Sequence, residues 1–157
     1  MKGNFEKCIA ITLVFEGGYS NDPGDPGGAT EWGITHINYD AYRKRKGLPF
    51  QSIRLITKDE MHEIYRHDYW DALHCDDLPV GYDLCVLDFA VNSGTGRAAQ
   101  FVQAHHDIDS FQDARLAFLE RLGHLWVLFG RGWSHRVQGI RAQAHALAAS
   151  DGQSRQA

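Results

Sequence analysis

Apolar residues recur at helical spacing in the first part of the chain. Phe5, Ile9 and Leu13 are each four residues apart, and Glu16 continues the same stripe three residues further on. This spacing predicts an amphipathic helix over residues 4–16, which a Gly-Gly pair ends. An acidic side chain therefore lies at the inner end of an apolar stripe, a position that needs a chemical explanation.

The segment after this helix has no helical period. Residues 19–35 contain two Asp-Pro dipeptides and several glycines. Such a composition is typical of turns and compatible with a short hairpin. We therefore expect an irregular lobe directly after the first helix.

The remaining pattern predicts a mainly α domain. Thr57 and Glu60 form a capping box that begins a helix ending near residue 71. Residues 79–93 are apolar on every side, which predicts a central buried helix. Further helices are predicted over residues 36–46, 97–106, 110–129 and 134–149. The chain shows no repeat and no linker, so we expect one domain over residues 1–150 and a frayed tail over residues 151–157.

Composition narrows the class of protein. The chain has 157 residues, 43% of them hydrophobic, and a formal net charge of -4. No basic stripe of the kind that nucleic-acid binders carry is present, and the one basic cluster, residues 43–46, suits the end of a helix. The three cysteines form neither a disulfide framework nor a zinc motif, and the nine histidines are scattered. We expect no cofactor and no metal.

The first residues do not read as a targeting segment. The apolar run is short, Glu6 and Lys7 interrupt it, and no cleavage site of small residues follows. We expect synthesis in the cytoplasm without a signal peptide, so that work outside the cytoplasm requires another export route.

The position of Glu16 has a chemical interpretation. Burial on the apolar stripe and the negative end of the helix dipole both raise the pKa of a carboxyl group. Asp22 and Asp25 lie in a polar loop and should stay ionised. One protonated acid beside one carboxylate is the arrangement that glycoside hydrolysis uses. The alternatives are a solvated glutamate and plain Asp-Pro-Gly turns; the spacing does not match a calcium-binding EF-hand.

Four segments closely resemble glycoside hydrolase family 108 muramidases, phage-type endolysins with a Glu-Gly-Gly-Tyr motif. The first is E-G-G-Y-S-N-D-P-G-D-P-G-G-A-T-E-W-G-I-T at 16–35. The others are Y-R-H-D-Y-W-D-A-L at 65–73, L-P-V-G-Y-D-L-C-V-L-D-F-A-V-N-S-G-T-G-R-A-A at 78–99 and G-W-S-H-R-V at 132–137. The resemblance implies a lysozyme-like fold with two lobes and a cleft. It also implies that residues 78–150 correspond to the family's peptidoglycan-binding half, which we expect to pack into the same domain.

The resemblance also assigns catalytic roles. The family's catalytic glutamate falls on Glu16, which would protonate the glycosidic oxygen. Phage lysozymes place an aspartate nine residues on, here Asp25, which would stabilise positive charge or orient water. Thr30 would help to hold that water, although its spacing is one residue short of the commonest pattern. Asp22 and Glu31 are the other candidates for the second carboxylate. Glu31 is also a candidate for the place of Thr30.

Several other side chains are candidates for contact with sugar. Aromatic rings stack on the apolar faces of sugars, and an amide both donates and accepts hydrogen bonds. The candidates are Tyr19, Trp32, Tyr69 and Asn92, with Asp22 at the loop. The alternative roles are core packing for the aromatic residues and helix capping for Asn92. Trp126 and Trp133 are predicted to be core, and Asp88 is predicted to pair with an arginine because an unpaired buried charge is costly.

The resemblance implies an N-acetylmuramidase that cleaves the β-1,4 bond between N-acetylmuramic acid and N-acetylglucosamine. Its partner would be bacterial peptidoglycan and not nucleic acid, a holin would provide access to the wall, and we expect a monomer. Two alternatives stay open. A lytic transglycosylase would use a single acid and release an anhydro-sugar, and a non-catalytic peptidoglycan-binding protein could have the same fold.

Overall fold

The apolar helix predicted near the middle of the chain is the central element of the fold. In the computed structural model, which describes residues 3–21 and 28–154, this helix is α4 (Tyr82–Ser93), and every residue from Tyr82 to Ala90 is buried. Helices from both halves of the chain pack around it. The predicted mainly α, lysozyme-like architecture with a small hairpin is confirmed.

The described residues otherwise form helices and one short hairpin. In chain order they are α1 (Phe5–Val14), β1 (Thr30–Glu31), β2 (Ile34–Thr35), α2 (His36–Arg45), a 3-10 turn (Ile53–Leu55), α3 (Lys58–Ile64), a π-helical segment (Tyr65–Asp71), a 3-10 turn (Cys75–Asp77), α4, α5 (Thr95–Ala104), α6 (Ile108–Glu120) and α7 (His124–Ser154). The core contains residues from nearly all of these elements, including the buried, unpaired Cys8 and Cys85.

The hairpin forms where the turn-rich composition predicted it. Strands β1 and β2 pair in antiparallel fashion with Thr30 opposite Thr35, so only Trp32 and Gly33 connect them. Both connecting residues have positive φ, 49° and 78°, as a type I′ turn requires. The side chain of Thr35 then caps α2 by accepting a hydrogen bond from the Asn38 amide. One residue thus ends the hairpin and begins the next helix.

Two helices near the site differ from the prediction, one in where it ends and the other in its form. Helix α1 ends at Val14, so Glu16 lies two residues beyond it instead of inside it. The capping box of Thr57 and Glu60 is present as predicted. The helix that it begins widens into the π-helical segment at Tyr65, a form that is often found at functional sites.

The predicted long helix over residues 110–129 is wrong at both ends. Asp107, not Ser110, is the N-cap of α6, because its carboxylate accepts the Ser110 amide. The helix ends at Glu120, and Gly123 adopts φ +57°, which reverses the chain direction at little steric cost. Helix α7 then runs for 31 residues through Ser154, past the predicted end at residue 149.

The prediction that Trp126 and Trp133 belong to the core is also wrong. Both are only partly buried, on the first turns of α7. Their rings pack against each other, with centroids 6.4 Å apart, and the Trp126 ring covers Gly130. Large apolar side chains thus contact one another on the surface. Within residues 3–21 and 28–154, no helix is long and apolar enough to cross a membrane.

Candidate functional site

Glu16 lies in a largely enclosed position between α1, the hairpin and α7. Its amide donates to the Leu13 carbonyl oxygen, which continues the last turn of α1. Its side chain is 15% exposed and is 2.6 Å from the guanidinium of Arg136 on α7. The first and last helices of the described chain therefore meet at this carboxyl group.

Arg136 links Glu16 to a buried charge network. Its Nη2 and Nε atoms contact both carboxylate oxygens of Asp88 on α4, with the shortest contact at 2.9 Å. Asp88 is also 2.7 Å from Arg115 on α6, and both of these side chains are fully buried. Asn92, one turn further along α4, accepts from Arg115 at 3.3 Å. The predicted pairing of Asp88 with an arginine is confirmed, and two arginines take part.

Burial and the charge network act in opposite directions on the pKa of Glu16. Burial is the largest effect and raises the pKa of the carboxyl group above that of an exposed glutamate, while Arg136 opposes this rise. Arg136 also compensates Asp88, so its charge is shared between two carboxylates. The net result is a glutamate that keeps its proton to higher pH than usual and that has a fixed orientation, as a general acid requires.

The hairpin turn lies directly against Glu16. A Cβ atom on Gly33 would be 2.7 Å from Glu16 Oε2 and 2.9 Å from the Tyr65 hydroxyl. That hydroxyl donates to the Trp32 carbonyl oxygen and so fastens the turn to the π-helical segment. Burial, and next the proximity of Glu16, raise the pKa of Tyr65, which keeps its proton as a donor. A side chain at position 33 would therefore displace Glu16 or Tyr65, and the φ of 78° also favours glycine.

The predicted partners of Glu16 are described only in part. Asp22 and Asp25 lie outside the described residues. Thr30 is in β1, where its backbone forms both hydrogen bonds of a bridge to Ser20. Glu31 is half-buried on the same strand, and its Oε1 would be 3.8 Å from a Cβ atom on Gly18. Of the three candidates for the second carboxylate, Glu31 is thus the one that lies within the described residues. Its side chain is close to Gly18, just before the loop begins.

The aromatic candidates are distributed over the hairpin side of the molecule. Trp32 is half-buried beside Gly33 and packs on the core. The Tyr69 ring is buried against Tyr65, and its hydroxyl accepts from Asn38 at 3.2 Å. Tyr69 also lines a surface hollow of about 240 Å³. The ring of Tyr19 is instead covered by the guanidinium of Arg54, at 4.0 Å from its centroid.

Asn92 does not take its alternative role, that of a helix cap. The Gly94 amide donates to the Ala90 carbonyl oxygen, and the Asn92 side chain has no hydrogen bond with the backbone at that end of the helix in the described residues. Its side-chain oxygen accepts from two side chains, the Ser93 hydroxyl at 3.4 Å and Arg115 at 3.3 Å. Asn92 thus contributes to the network behind Glu16.

Three residues of the site were not predicted from the sequence: Arg136, Tyr65 and Gly33. Arg136 lies in the quoted segment at 132–137, but helical spacing alone does not say which arginine reaches Asp88. Tyr65 lies in the quoted segment at 65–73, where only Tyr69 was selected. A signal for Gly33 was available, because a glycine between two short strands is typical of a hairpin turn.

The arrangement suits proton donation to a bound substrate. It offers one buried acid, an arginine that orients it and a rigid turn beside it. Among residues 3–21 and 28–154, no group of three or more histidine, cysteine, aspartate or glutamate side chains could hold a metal ion.

Comparison with known proteins finds a family model and similar solved structures. A family model described as Glycosyl hydrolase 108 matches residues 9–94, which include Glu16 and the hairpin. The chain is also similar in structure to SagA from Brucella abortus, with 36% sequence identity and a TM-score of 0.81. This similarity covers 94% of the present chain and 97% of SagA. No match was found among curated proteins.

Proposed function

The chain belongs to the glycosyl hydrolase 108 family, and on that premise we propose that it is an N-acetylmuramidase. It would cleave the β-1,4 bond between N-acetylmuramic acid and N-acetylglucosamine in peptidoglycan. The observation that carries this proposal is the enclosed Glu16 carboxyl, held by Arg136 and with a raised pKa. Family membership supports the class, a glycoside hydrolase, and the geometry supports the acid.

In this proposal Glu16 donates its proton to the glycosidic oxygen as the bond breaks. The positive charge that develops on the sugar needs a carboxylate or an oriented water on the other side of the bond. Asp25 is our first choice for this role, with Thr30 holding the water. Asp22 and Glu31 are the alternatives for Asp25.

The substrate would lie along the hairpin side of Glu16. Trp32 is part of the turn and Tyr69 packs against Tyr65, which is bonded to the turn, and we propose that Trp32 and Tyr69 contact sugar rings. Tyr19 would contribute at the edge after release from Arg54. Asn92 would act from behind the acid, through Arg115 and Asp88.

The test is digestion of purified sacculi, followed by mass spectrometry of the reduced fragments. The wild-type protein should release fragments with reducing muramic-acid ends. Glu16→Gln should lower the rate by about 10²–10⁴-fold, the usual contribution of a general acid. Glu6→Gln is the matched control, since Glu6 lies on α1, the helix that leads to Glu16, with its side chain 68% exposed, and its replacement should leave the rate unchanged.

The fragments also separate the alternatives. Anhydro-muramic ends would indicate a lytic transglycosylase and remove the proposed role of Asp25. Binding to sacculi without release of fragments by the wild type would favour a peptidoglycan-binding protein. Equal rates for the wild type and Glu16→Gln would refute the assignment of the acid.

The biological setting that we propose is a phage or prophage endolysin that acts as a monomer. A holin would give it access to the wall. Expression in a bacterial host with and without a holin tests this setting, because lysis should require both proteins. Lysis without the holin would argue against it.

A further inference from the structure

The first turns of α7 expose an unusual concentration of apolar side chains. We call residues 121–133 the α7 tip. Four of its large apolar side chains are exposed: Leu125 (47%), Val127 (80%), Leu128 (59%) and Phe129 (52%). With 3.6 residues per turn, these four positions are spread around the helix instead of lying on one face. Isolated apolar side chains on a surface are ordinary, but a contiguous cluster marks an interaction site.

The large side chains of the tip partly cover one another. Trp133 packs against Trp126 at 6.4 Å and against Phe129 at 5.7 Å. Gly130 is buried because the Trp126 ring lies on it. A helix that is apolar on all sides belongs in a core or in lipid, not in water.

The charged residues of the tip and of the helix that follows it have one sign. After Glu120 the sequence has no acidic residue until Asp151, whereas it has four arginines and three histidines in that interval. Arg136 and Arg141 are engaged by carboxylates. Arg121 and Arg131 are exposed and have no carboxylate partner within residues 3–21 and 28–154. The tip is therefore basic and apolar, on a chain whose net charge is -4.

We propose that the α7 tip docks on an anionic phospholipid bilayer. The apolar side chains would enter the region between headgroups and acyl chains, while Arg121 and Arg131 would contact the phosphates. The shape favours lipid over a second copy of the chain, because a protein partner covers one face and a bilayer surrounds the whole inserted tip. The basic charge points the same way, since two copies would bring like charges together.

The test uses the full chain and two kinds of vesicle: phosphatidylglycerol with phosphatidylethanolamine, and phosphatidylcholine alone. The protein should sediment with the first kind and much less with the second. Tryptophan emission should shift to the blue, and brominated lipid should quench it. Trp126→Phe should reduce that quenching, because Trp126 is on the tip.

Paired variants locate the contact. Val127→Ser with Leu128→Ser should weaken vesicle binding by about tenfold or more, from the loss of two inserted side chains. Phe50→Ser with Leu55→Ser is the matched control, with 68% and 61% exposure elsewhere on the surface, and should bind like the wild type. Arg131→Gln should weaken binding to anionic vesicles by about fivefold. Thermal denaturation checks that each variant folds.

Several outcomes would overturn the proposal. These are no binding to either vesicle, equal binding of the tip variant and its control, or a dimer in sedimentation velocity that the tip substitutions abolish. Weaker binding of the tip variant to lipid-free sacculi would assign the tip to the wall instead. Because vesicle binding needs no hydrolysis, its outcome is independent of the muramidase assay.

Discussion

Helix α4 carries two buried aspartates that are satisfied in different ways. Asp83, at its start, is surrounded by neutral donors: the Asn4 amide at 2.7 Å and the backbone amides of Gly81 and Leu84, both at 2.8 Å. Burial raises the pKa of Asp83 against the effect of these donors. Asp88, five residues on, faces two arginines instead.

The difference shows which end of the helix serves the site. Hydrogen bonds from neutral groups hold Asp83 in place, and these groups do not contact Glu16. The charge on Asp88 requires Arg136, and Arg136 also holds Glu16. The pairing is therefore as much a positioning device as a source of stability, since a buried ion pair is weak evidence for stability by itself.

The strongest test of this comparison is to neutralise each aspartate. Asp88→Asn leaves two buried guanidiniums short of a counter-charge and should destabilise the fold by about 3–5 kcal/mol. Asp83→Asn keeps an acceptor for the backbone amides and should cost only about 1 kcal/mol. Urea denaturation of both variants measures the difference. Equal costs would show that the two sites are energetically alike.

Arg136 tests whether the network acts on Glu16. Arg136→Met removes a charge that lowers the pKa of Glu16, so that pKa should rise further. Glu16 then keeps its proton to higher pH, and the alkaline limb of kcat/KM should move upward while kcat falls about tenfold to hundredfold from lost positioning. Arg136→Lys keeps the positive charge but not the planar guanidinium with its several donors. The alkaline limb of kcat/KM should therefore stay at the wild-type pH, while kcat falls. A variant that only destabilises the fold would leave the pH profile in place.

The hairpin turn offers a matched pair of glycines. Gly33→Ala places a methyl group against Glu16 and should lower kcat by up to about hundredfold. Gly47→Ala carries the same backbone strain, with φ +69°, but its Cβ atom would meet nothing within 4 Å. It should lower stability by about 1 kcal/mol and leave kcat unchanged. Equal kcat values for the two variants would mean that contact with Glu16 is unimportant.

Two tyrosines provide the smallest and most specific comparison. Tyr65 and Tyr82 each donate a hydrogen bond to a backbone carbonyl oxygen, of Trp32 and His105 respectively. Replacing either with Phe should cost about 1 kcal/mol of stability. Only Tyr65→Phe should also reduce kcat, by about fivefold, because it loosens the turn beside Glu16. Steady-state kinetics with thermal denaturation separate the two effects.

Local sequence patterns predicted most of the fold. The apolar run 79–93 predicted a buried helix, and the Asp-Pro and Gly content of 19–35 indicated turns. The break at Gly123 was missed because one glycine among good helix formers is also tolerated within a helix. The exposure of Trp126 and Trp133 was missed because hydrophobicity indicates that burial of a side chain is favourable. It does not indicate whether another element of the fold packs against that side chain.

The site was predicted only where chemistry could be inferred from one segment. Glu16 stood out because an acid ends an apolar stripe, and Asp88 needed an arginine because it is buried. The identity of that arginine depends on how α7 docks on α4, across 48 residues of sequence. The positive φ of Trp32 is likewise set by strand pairing and not by any preference of tryptophan.

The salt bridge between Glu16 and Arg136 has a consequence for the order of synthesis. A chain made from its N-terminus presents Glu16, the hairpin and α4 well before Arg136 is added, and domains generally fold as units. Until α7 docks, the acid has no guanidinium beside it and Asp88 lacks one of its two partners. The arrangement around Glu16 is therefore complete only when α7 is in place, and we expect a chain still held on the ribosome to be much less active than the released protein.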